Sequence, residues 1–230
     1  SVNSLIKRKI NKIFCYTEKI KKNYDFLGYV NKTIVMPLGY NEKIFKIDNS
    51  NNKNDKFIIS YFGQILPVKG IHTLLKSLEN LKFDNWVFML DVYHVNNKNY
   101  FKKLKPELKK LIKINKLKLI KCDYFEITKY MAISDLVVVP SEYNEQYGRV
   151  IQESVASGTL VMGSNIGAIP EIIDDQDLLF KPGNSTELAL KINQLYFNKD
   201  FRDKKFTNLY NKVTSFRSIT NQVNIFKKNI

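Results

Sequence analysis

The sequence predicts an α/β fold in which helices cover a doubly wound parallel sheet. From residue 57 onward, short apolar runs alternate with stretches whose apolar residues recur at helical spacing. The apolar runs are continuous rather than alternating, which is typical of strands buried on both faces. Strands that alternate with helices along a chain join into one parallel sheet through right-handed crossovers.

The first 36 residues predict a helix, a strand, a second helix and a second strand. The helices are expected over residues 1–12 and 17–27, and the strands over residues 13–16 and 32–36. An isolated strand cannot satisfy its backbone hydrogen bonds, and residues 1–12 offer no partner strand. The natural chain is therefore expected to be longer, or these residues to pack unusually.

Six strands and six helices are predicted between residues 57 and 197. In the first of these helices, Ile71, Leu74, Leu75 and Leu78 follow the spacing i, i+3, i+4, i+7. In the last one, Asn184 and the glutamate three residues later form a capping pair. The predicted strands are 57–62, 86–91, 117–122, 135–139, 159–163 and 177–180, and the predicted helices are 70–81, 100–114, 126–133, 148–156, 170–174 and 185–197.

Composition and charge narrow the class of protein. The chain has 230 residues, of which 44% are hydrophobic and 13% aromatic, enough to bury one good core. Its 37 basic residues against 22 acidic ones give a net charge of +15, which is compatible with a nucleic-acid or anionic-membrane partner. No apolar run approaches the roughly 20 residues that span a bilayer, and no signal-peptide pattern is visible.

The cysteines and histidines form no metal or disulfide pattern. Cys15 and Cys122 are far apart, and each is expected to be a small buried apolar residue. His72 and His94 are expected to be structural or exposed. The patterns G-x-G-x-x-G, G-x-x-x-x-G-K-[ST] and G-x-S-x-G are absent, which argues against a dinucleotide oxidoreductase, a P-loop nucleotidase and a serine hydrolase.

The most informative stretch is residues 140–171. A polar loop follows the predicted strand 135–139 and leads into a helix that starts near Gly148. Unsatisfied N–H groups and the positive end of the helix dipole favour an anion at a helix start. Glu145 lies before this start, and Glu153 lies five residues after Gly148. The two carboxylates therefore bracket the predicted anion site.

The bracketing pair suits a ligand with hydroxyl-rich groups on both sides of a diphosphate. Carboxylates accept hydrogen bonds and are repelled by phosphate, and a nucleotide sugar places ribose, diphosphate and sugar in a row. Lys69, in the loop after strand 57–62, is a mobile cation suited to a diphosphate at the same sheet edge. The alternative is that Glu145, Glu153 and Lys69 are solvated surface charges.

The wider string has the form E-x7-E with Y-G-R-V inside, followed by A-S-G-T-L-V and by G-A-I-P-E. It resembles the nucleotide-sugar half of the family four, group 1, retaining glycosyltransferases of GT-B fold, which carry E-P-F-G-x-V-x-x-E-A-x-A-x-G and then G-G-x-P-E. The matching residues are Glu145, Gly148, Val150, Glu153, Ala156, Gly158, Gly167, Pro170 and Glu171. Residues 63–70 are similar to the family's G-R-x-x-x-x-K-G. The resemblance implies a Rossmann-like sheet domain, preceded by a remnant of an N-terminal domain. Six residues are expected to converge at one edge of this sheet, namely Gly63, Lys69, Glu145, Gly148, Glu153 and Glu171.

The resemblance implies a retaining hexosyltransferase that moves a sugar from a UDP- or GDP-type donor to a glycan, lipid-linked or protein acceptor, without a metal or other cofactor. Glu145 and Lys69 would be the catalytic residues. Glu145 would contact the donor sugar, Glu153 the ribose, and Lys69 with the Gly148 amide the diphosphate. The donor-binding residues implied are Gly63, Gln64, Lys69, Gln146, Tyr147, Gly148, Arg149, Val150 and Glu153.

Three departures from the family patterns keep other functions open. Gln64 stands where the family has an arginine, so one cation of the expected diphosphate clamp is missing. Residues 91–97 lack the family's glycine-rich V-G-x-G-P turn. Ala168 replaces the second glycine of G-G-x-P-E, which requires a backbone without positive φ. One alternative is a non-catalytic sugar-nucleotide-binding or scaffold module, and a less favoured one is a nucleic-acid-binding protein.

The resemblance also divides the chain into three parts. Residues 1–35 would be the remnant of the acceptor-side domain and linker, residues 36–200 the nucleotide-sugar-binding domain, and residues 201–230 basic helices that cross back toward the first domain. Such a fragment is expected to bind nucleotide without transferring sugar. The resemblance implies a cytoplasmic enzyme of polysaccharide, glycolipid or glycoprotein biosynthesis. Lysines concentrated in residues 7–22 and 102–121 can attract an anionic leaflet, so the enzyme is expected to be peripheral at the inner face of the membrane.

Overall fold

The described strands form two parallel sheets. The computed structural model describes residues 9–48 and 55–230. The small sheet pairs β1 (Ile13–Cys15) with β2 (Thr33–Val35). The large sheet contains β3 (Phe57–Tyr61), β4 (Trp86–Asp91), β5 (Leu117–Ile120), β6 (Leu136–Val139), β7 (Leu160–Ser164) and β8 (Leu179–Phe180). Its order is β5-β4-β3-β6-β7-β8, and every neighbouring pair is parallel. The predicted parallel sheet of six strands is confirmed.

Helices connect the strands of the large sheet, close to the predicted bounds. One helix lies between β1 and β2, seven follow strands of the large sheet or one another, and a last one ends the described chain. They are α1 (Glu18–Tyr24), α2 (Ile71–Leu78), α3 (Lys98–Lys113), α4 (Ile127–Ala132), α5 (Arg149–Ala156), α6 (Ile169–Ile173), α7 (Ser185–Phe197), α8 (Lys199–Phe216) and α9 (Ile219–Asn229). Residues 1–8 of the first predicted helix lie outside the described residues.

The core lies on both faces of the large sheet. All five residues of β3 are buried, as the continuous apolar run indicated. On α2, the four residues at helical spacing are each at most 3% exposed, so the amphipathic pattern is confirmed. Burial of each such side chain stabilises the fold by roughly 1.5–3 kcal/mol. This packing holds the carboxyl ends of β3 and β6 in fixed positions.

The first strand is not isolated. Residues Ile13, Phe14 and Cys15 pair in parallel with β2, and the N–H of Met36 continues the pattern by donating to the carbonyl of Cys15 at 2.8 Å. The inference that the first strand lacks a neighbour was wrong, because the segment supplies its own partner through the crossover helix α1. A parallel pair of this kind requires such a crossover, which the pattern at residues 17–27 did contain.

The C-terminal helices return to the segment that follows β2. The N–H of Tyr40 donates to the carbonyl of Arg217 at 2.9 Å, and the N–H of Ile219 donates to the carbonyl of Tyr40 at 3.0 Å. The carboxylate of Glu42 accepts from the N–H groups of Ile219 and Thr220, both at 3.2 Å, and so caps α9. The segment after β2 is thereby joined to the turn that precedes α9.

Candidate active site

A cleft of about 620 Å³ lies at the carboxyl ends of β3, β4, β5 and β6. Between β3 and β6 the connections turn to opposite sides, and ligands bind at such a switch point in open α/β sheets. Eight of the nine residues implied as donor-binding line it together with Glu145, the other residue implied as catalytic beside Lys69. The eight are Gly63, Gln64, Lys69, Tyr147, Gly148, Arg149, Val150 and Glu153. Gln146 is exposed in the same loop and is not among the lining residues.

Lys69 and Glu145 form an ion pair inside the cleft. The Nζ of Lys69 lies 2.6 Å from Oε2 of Glu145, although the two residues are 76 positions apart. The hydroxyl of Ser141 donates to the same carboxylate oxygen at 3.1 Å. Both charged side chains retain some contact with solvent. The loops after β3 and β6 therefore place opposite charges against each other at the switch point.

Glycines allow these two loops to approach closely. Gly70 has φ of 66°, and a Cβ at this position would overlap the carbonyl oxygen of Pro140. The N–H of Glu142 donates to the carbonyl of Val68 at 2.9 Å, which ties the loops together beside this contact. The position of Lys69 relative to Glu145 thus depends on a residue without a side chain.

Among the described residues, no side chain caps the start of α5. Gly148 occupies the cap position with φ of 59°, and no side-chain hydrogen bond satisfies the first turn. A Cβ on Gly148 would lie 2.5 Å from Cδ1 of Ile172, so only glycine fits without a shift. Gly148, Arg149 and Val150 all line the cleft. The uncapped amides and the helix dipole give this end a positive potential suited to an anion.

Glu153 is a buried carboxylate at the edge of the same cleft. It is 7% exposed, and its Oε1 lies 3.4 Å from Nη2 of Arg149, one helical turn earlier. Burial raises the pKa of Glu153 above its usual value, while the guanidinium of Arg149 acts in the opposite direction. A half-satisfied carboxylate of this kind is available to accept hydrogen bonds from hydroxyl groups.

The buried charge of Glu153 is expected to lower the stability of the free chain. Because the pKa is raised in the folded state, the unfolded chain ionises first, and the loss of stability develops as pH rises above about 4.5, the ordinary value for this group. Glu153→Gln should therefore raise Tm at pH 7, with a gain that vanishes as pH falls below 4.5. Thermal unfolding at several pH values measures this, with the exposed Glu79→Gln as a control that should not change Tm. An equal gain at every pH would contradict it.

The loop that contains G-A-I-P-E packs against the backbone of Glu145 and fixes its position. Gly167 has φ of 64°, and a Cβ there would overlap the carbonyl oxygen of Glu145. The N–H of Ala168 donates to that same carbonyl at 2.7 Å. Ala168 has φ of −83°, which any residue adopts, so the alanine in place of the family's second glycine is accommodated.

A buried pair of titratable side chains, which no sequence motif indicated, also lines the cleft. Asp91 ends β4 and Cys122 follows β5, and both are buried lining residues. Burial and the neighbouring carboxylate raise the pKa of the Cys122 thiol to about 12, and burial raises that of Asp91. The thiol therefore stays protonated. Cys122 was predicted to be buried, and its position at the carboxyl end of a predicted strand was the signal that it also lies in the site. Tyr93 and His94 line the cleft where the family has glycines.

Glu171 does not reach the cleft. Its carboxylate accepts from the N–H of Glu18 at 2.8 Å and from the N–H of Lys19 at 3.1 Å. These are the first residues of α1, so Glu171 caps the helix between β1 and β2. The expectation that Glu171 converges with the donor-binding residues was wrong, because two unsatisfied amides lie nearer to its carboxylate. A second contact joins the same N-terminal segment to the cleft. The ring of Tyr16 packs edge to face against the ring of Tyr147, which lines the cleft, with ring centroids 4.9 Å apart.

The sequence pattern of the family described as glycosyl transferases group 1 matches residues 42–211, which is most of the chain and includes every residue of the cleft named above. The chain belongs to this family of glycosyltransferases. Within the described residues, no helix is both long and apolar enough to cross a bilayer.

Proteins similar to this chain agree with the family assignment. An uncharacterized glycosyltransferase of Methanocaldococcus jannaschii is 24% identical over 99% of the chain, and the chain spans 59% of that protein. The MMP alpha-(1→4)-mannosyltransferase of Mycolicibacterium hassiacum is 25% identical over 74% of the chain and 41% of its own length. The crystal structure of Anabaena HepE in complex with UDP superposes with a TM-score of 0.84 at 21% identity, over 98% of the chain and 64% of HepE. This likeness confirms the GT-B type of fold.

Proposed function

We propose that the cleft binds a UDP- or GDP-linked hexose and that the complete glycosyltransferase transfers the hexose with retention of configuration. The observation that carries this proposal is the arrangement of charge along one cleft. Lys69 and the uncapped start of α5 provide positive potential, and the carboxylates of Glu145 and Glu153 line the same cleft. This order suits a diphosphate with hydroxyl-rich groups attached at both ends. The UDP present in the HepE structure supports the same ligand class.

In the proposed complex, each end of the donor meets a different carboxylate. Glu153 accepts from the ribose hydroxyls, because it lies inside α5 beside the nucleotide end of the cleft. Glu145 accepts from the sugar hydroxyls. In the free chain Glu145 is paired with Lys69, so an arriving diphosphate takes over the ammonium group and leaves the carboxylate free for the sugar. Gly63, Gln64, Tyr147 and the first residues of α5 also line the cleft beside the donor.

Lys69 and the start of α5 are proposed to neutralise the leaving diphosphate without a metal ion. An ammonium group and helix amides aimed at the developing charge stabilise it electrostatically in the transition state. Gln64 donates a hydrogen bond at the place where the family has arginine, and it adds no charge.

Isothermal titration of the chain with UDP, GDP and their hexose conjugates tests the proposal. We expect one of the two nucleotides to bind, with an affinity that changes less than about twofold when EDTA replaces Mg²⁺. Binding that requires Mg²⁺ or Mn²⁺ would overturn the role assigned to Lys69. Failure of all four ligands to bind would overturn the donor site itself.

A non-catalytic donor-binding module is the second candidate. Gln64 favours it, because this side chain supplies no positive charge to the leaving group, and Lys69 is already neutralised by Glu145 in the free chain. The two candidates differ in what happens to bound donor. Slow release of free hexose from the donor by the full-length protein supports the transferase, and intact donor after prolonged incubation supports the module.

The acceptor is proposed to be a glycan, a lipid-linked sugar or a protein, bound by the part of the natural protein that pairs with this chain. We also propose that the enzyme works in the cytoplasm at the inner face of the membrane. The net charge of +15 supports this location, since an anionic leaflet attracts basic surfaces.

A further inference from the structure

The positive charge of the chain is concentrated on α3 and the strand that follows it. Ten lysines and a single acidic residue, Glu107, lie between Lys98 and Lys121. These 24 residues supply nine of the 15 net positive charges, and residues 7–22, with seven basic residues and one acidic residue, supply the other six. The region around α3 therefore carries the larger share of the excess charge.

Five of these lysines form a stripe along α3. They are spaced by three or four residues and so share one face of the helix, and all five are exposed. The 15 helical rises between its first and last lysine extend the stripe over roughly 22 Å. None of the five forms an ion pair within residues 9–48 and 55–230. This lysine stripe consists of Lys98, Lys102, Lys105, Lys109 and Lys113.

The opposite face of α3 explains why the stripe is fixed in place. Leu104, Leu108 and Leu111 are each at most 8% exposed and anchor the helix on the core. Like charges four residues apart repel each other and destabilise a helix. The packing of the three leucines therefore holds the lysine stripe in place against this repulsion. An anionic surface would relieve that repulsion.

Two exposed isoleucines stand at the end of the stripe. Ile112 is 51% exposed and Ile114 is 58% exposed, and they flank Lys113. Nucleic acid offers phosphates and no apolar layer at such a surface. A phospholipid bilayer offers both, because lysines meet the headgroups while apolar side chains enter the boundary with the acyl chains.

We propose that the lysine stripe, together with Ile112 and Ile114, docks on an anionic phospholipid bilayer. The proposal rests on the membrane location proposed above and does not depend on donor binding or sugar transfer. Tyr93 and His94 line the cleft only a few residues before α3 begins, so the docked helix would start beside the rim of the donor cleft. A lipid-linked acceptor would then meet the enzyme on the side where the donor is held.

Co-sedimentation with vesicles tests the surface. The probes are vesicles of phosphatidylcholine alone and of phosphatidylcholine with about one third phosphatidylglycerol. The salt concentration is near 0.1 M, where the Debye length is roughly 10 Å. The wild-type chain should partition preferentially into the anionic vesicles. Each lysine close to the membrane surface raises the partition coefficient for anionic vesicles about fivefold. The combined variant Lys105→Gln, Lys109→Gln, Lys113→Gln should therefore lower this partition coefficient about a hundredfold.

A matched control also removes three positive charges, but from another part of the surface. Lys181, Lys199 and Lys204 are exposed and lie on or beside α7 and α8, and their combined replacement by Gln should change partition less than about threefold. Ile112→Ser with Ile114→Ser should abolish the binding that persists in high salt. Equal partition into both kinds of vesicle, equal loss in the control, or binding of duplex DNA without binding of vesicles would each overturn the proposal. Titration with UDP reports on the donor site separately.

Discussion

Glu153→Ala is expected to weaken the binding of free nucleotide by about ten- to a hundredfold, which is the usual effect of losing a hydrogen-bond partner that carries charge. The direction of this change in affinity distinguishes hydrogen bonding from charge repulsion. Coulomb repulsion alone predicts the reverse, because removing a carboxylate near a diphosphate should tighten binding. Weaker binding therefore requires that Glu153 accepts hydrogen bonds from the ribose. Arg149, which loses its partner in this variant, has a side chain 59% exposed and is readily solvated.

Glu145→Ala is the matched comparison. It frees Lys69, so free nucleotide should bind at least as tightly as before, whereas the nucleotide sugar should lose whatever advantage it has over the nucleotide. Calorimetric titration of both variants with nucleotide and nucleotide sugar gives the two ratios. If both variants weaken free nucleotide equally, or if neither has an effect, the division of roles between the carboxylates fails.

Gly70→Ala is expected to destabilise the chain by about 3 kcal/mol or more. An alanine at φ of 66° is itself strained by roughly 1–2 kcal/mol, and its Cβ would also overlap the carbonyl oxygen of Pro140. For a chain of this size the loss corresponds to a decrease in Tm of at least about 6 °C. Because the clash separates the two loops that hold Lys69 and Glu145, nucleotide binding should weaken as well.

Gly183→Ala separates strain from overlap. Gly183 has φ of 75°, but a Cβ there would have its nearest neighbours 4.0 Å away, on Glu142. This variant should therefore show the backbone strain alone, with a decrease in Tm of about 2–8 °C and unchanged nucleotide binding. Equal losses in the two variants would show that the loops do not depend on the close approach at Gly70.

The fold was predictable because its signals are local. Continuous apolar runs and helical spacing gave the strands and helices of residues 57–197, mostly within one to three residues at each end. The structure adds the order of the strands, which depends on crossover packing. The small sheet was missed for a related reason. Its strands are three residues long and are separated by α1, so the pairing of residues 13–15 with 33–35 left no trace in either strand alone.

The candidate site was predicted in part. Motif spacing located Glu145, Gly148 and Glu153, and the cleft contains them together. The ion pair between Lys69 and Glu145 spans 76 residues, and no local pattern reports a contact of that range. Glu171 shows the opposite error, since a residue on a motif position was assigned to the ligand although two helix amides compete for its carboxylate.

The hydrogen bonds between Tyr40 and the turn before α9 couple the local unfolding of two distant segments. Each of the two backbone segments supplies both a donor and an acceptor to the other, and the side chain of Gln222 adds a further bond by accepting from the N–H of Gly39 at 2.9 Å. Neither segment can detach without exposing the amides of both. In hydrogen exchange, the stretch after β2 and the beginning of α9 should therefore lose protection as one cooperative unit, although nearly 180 residues separate them along the chain.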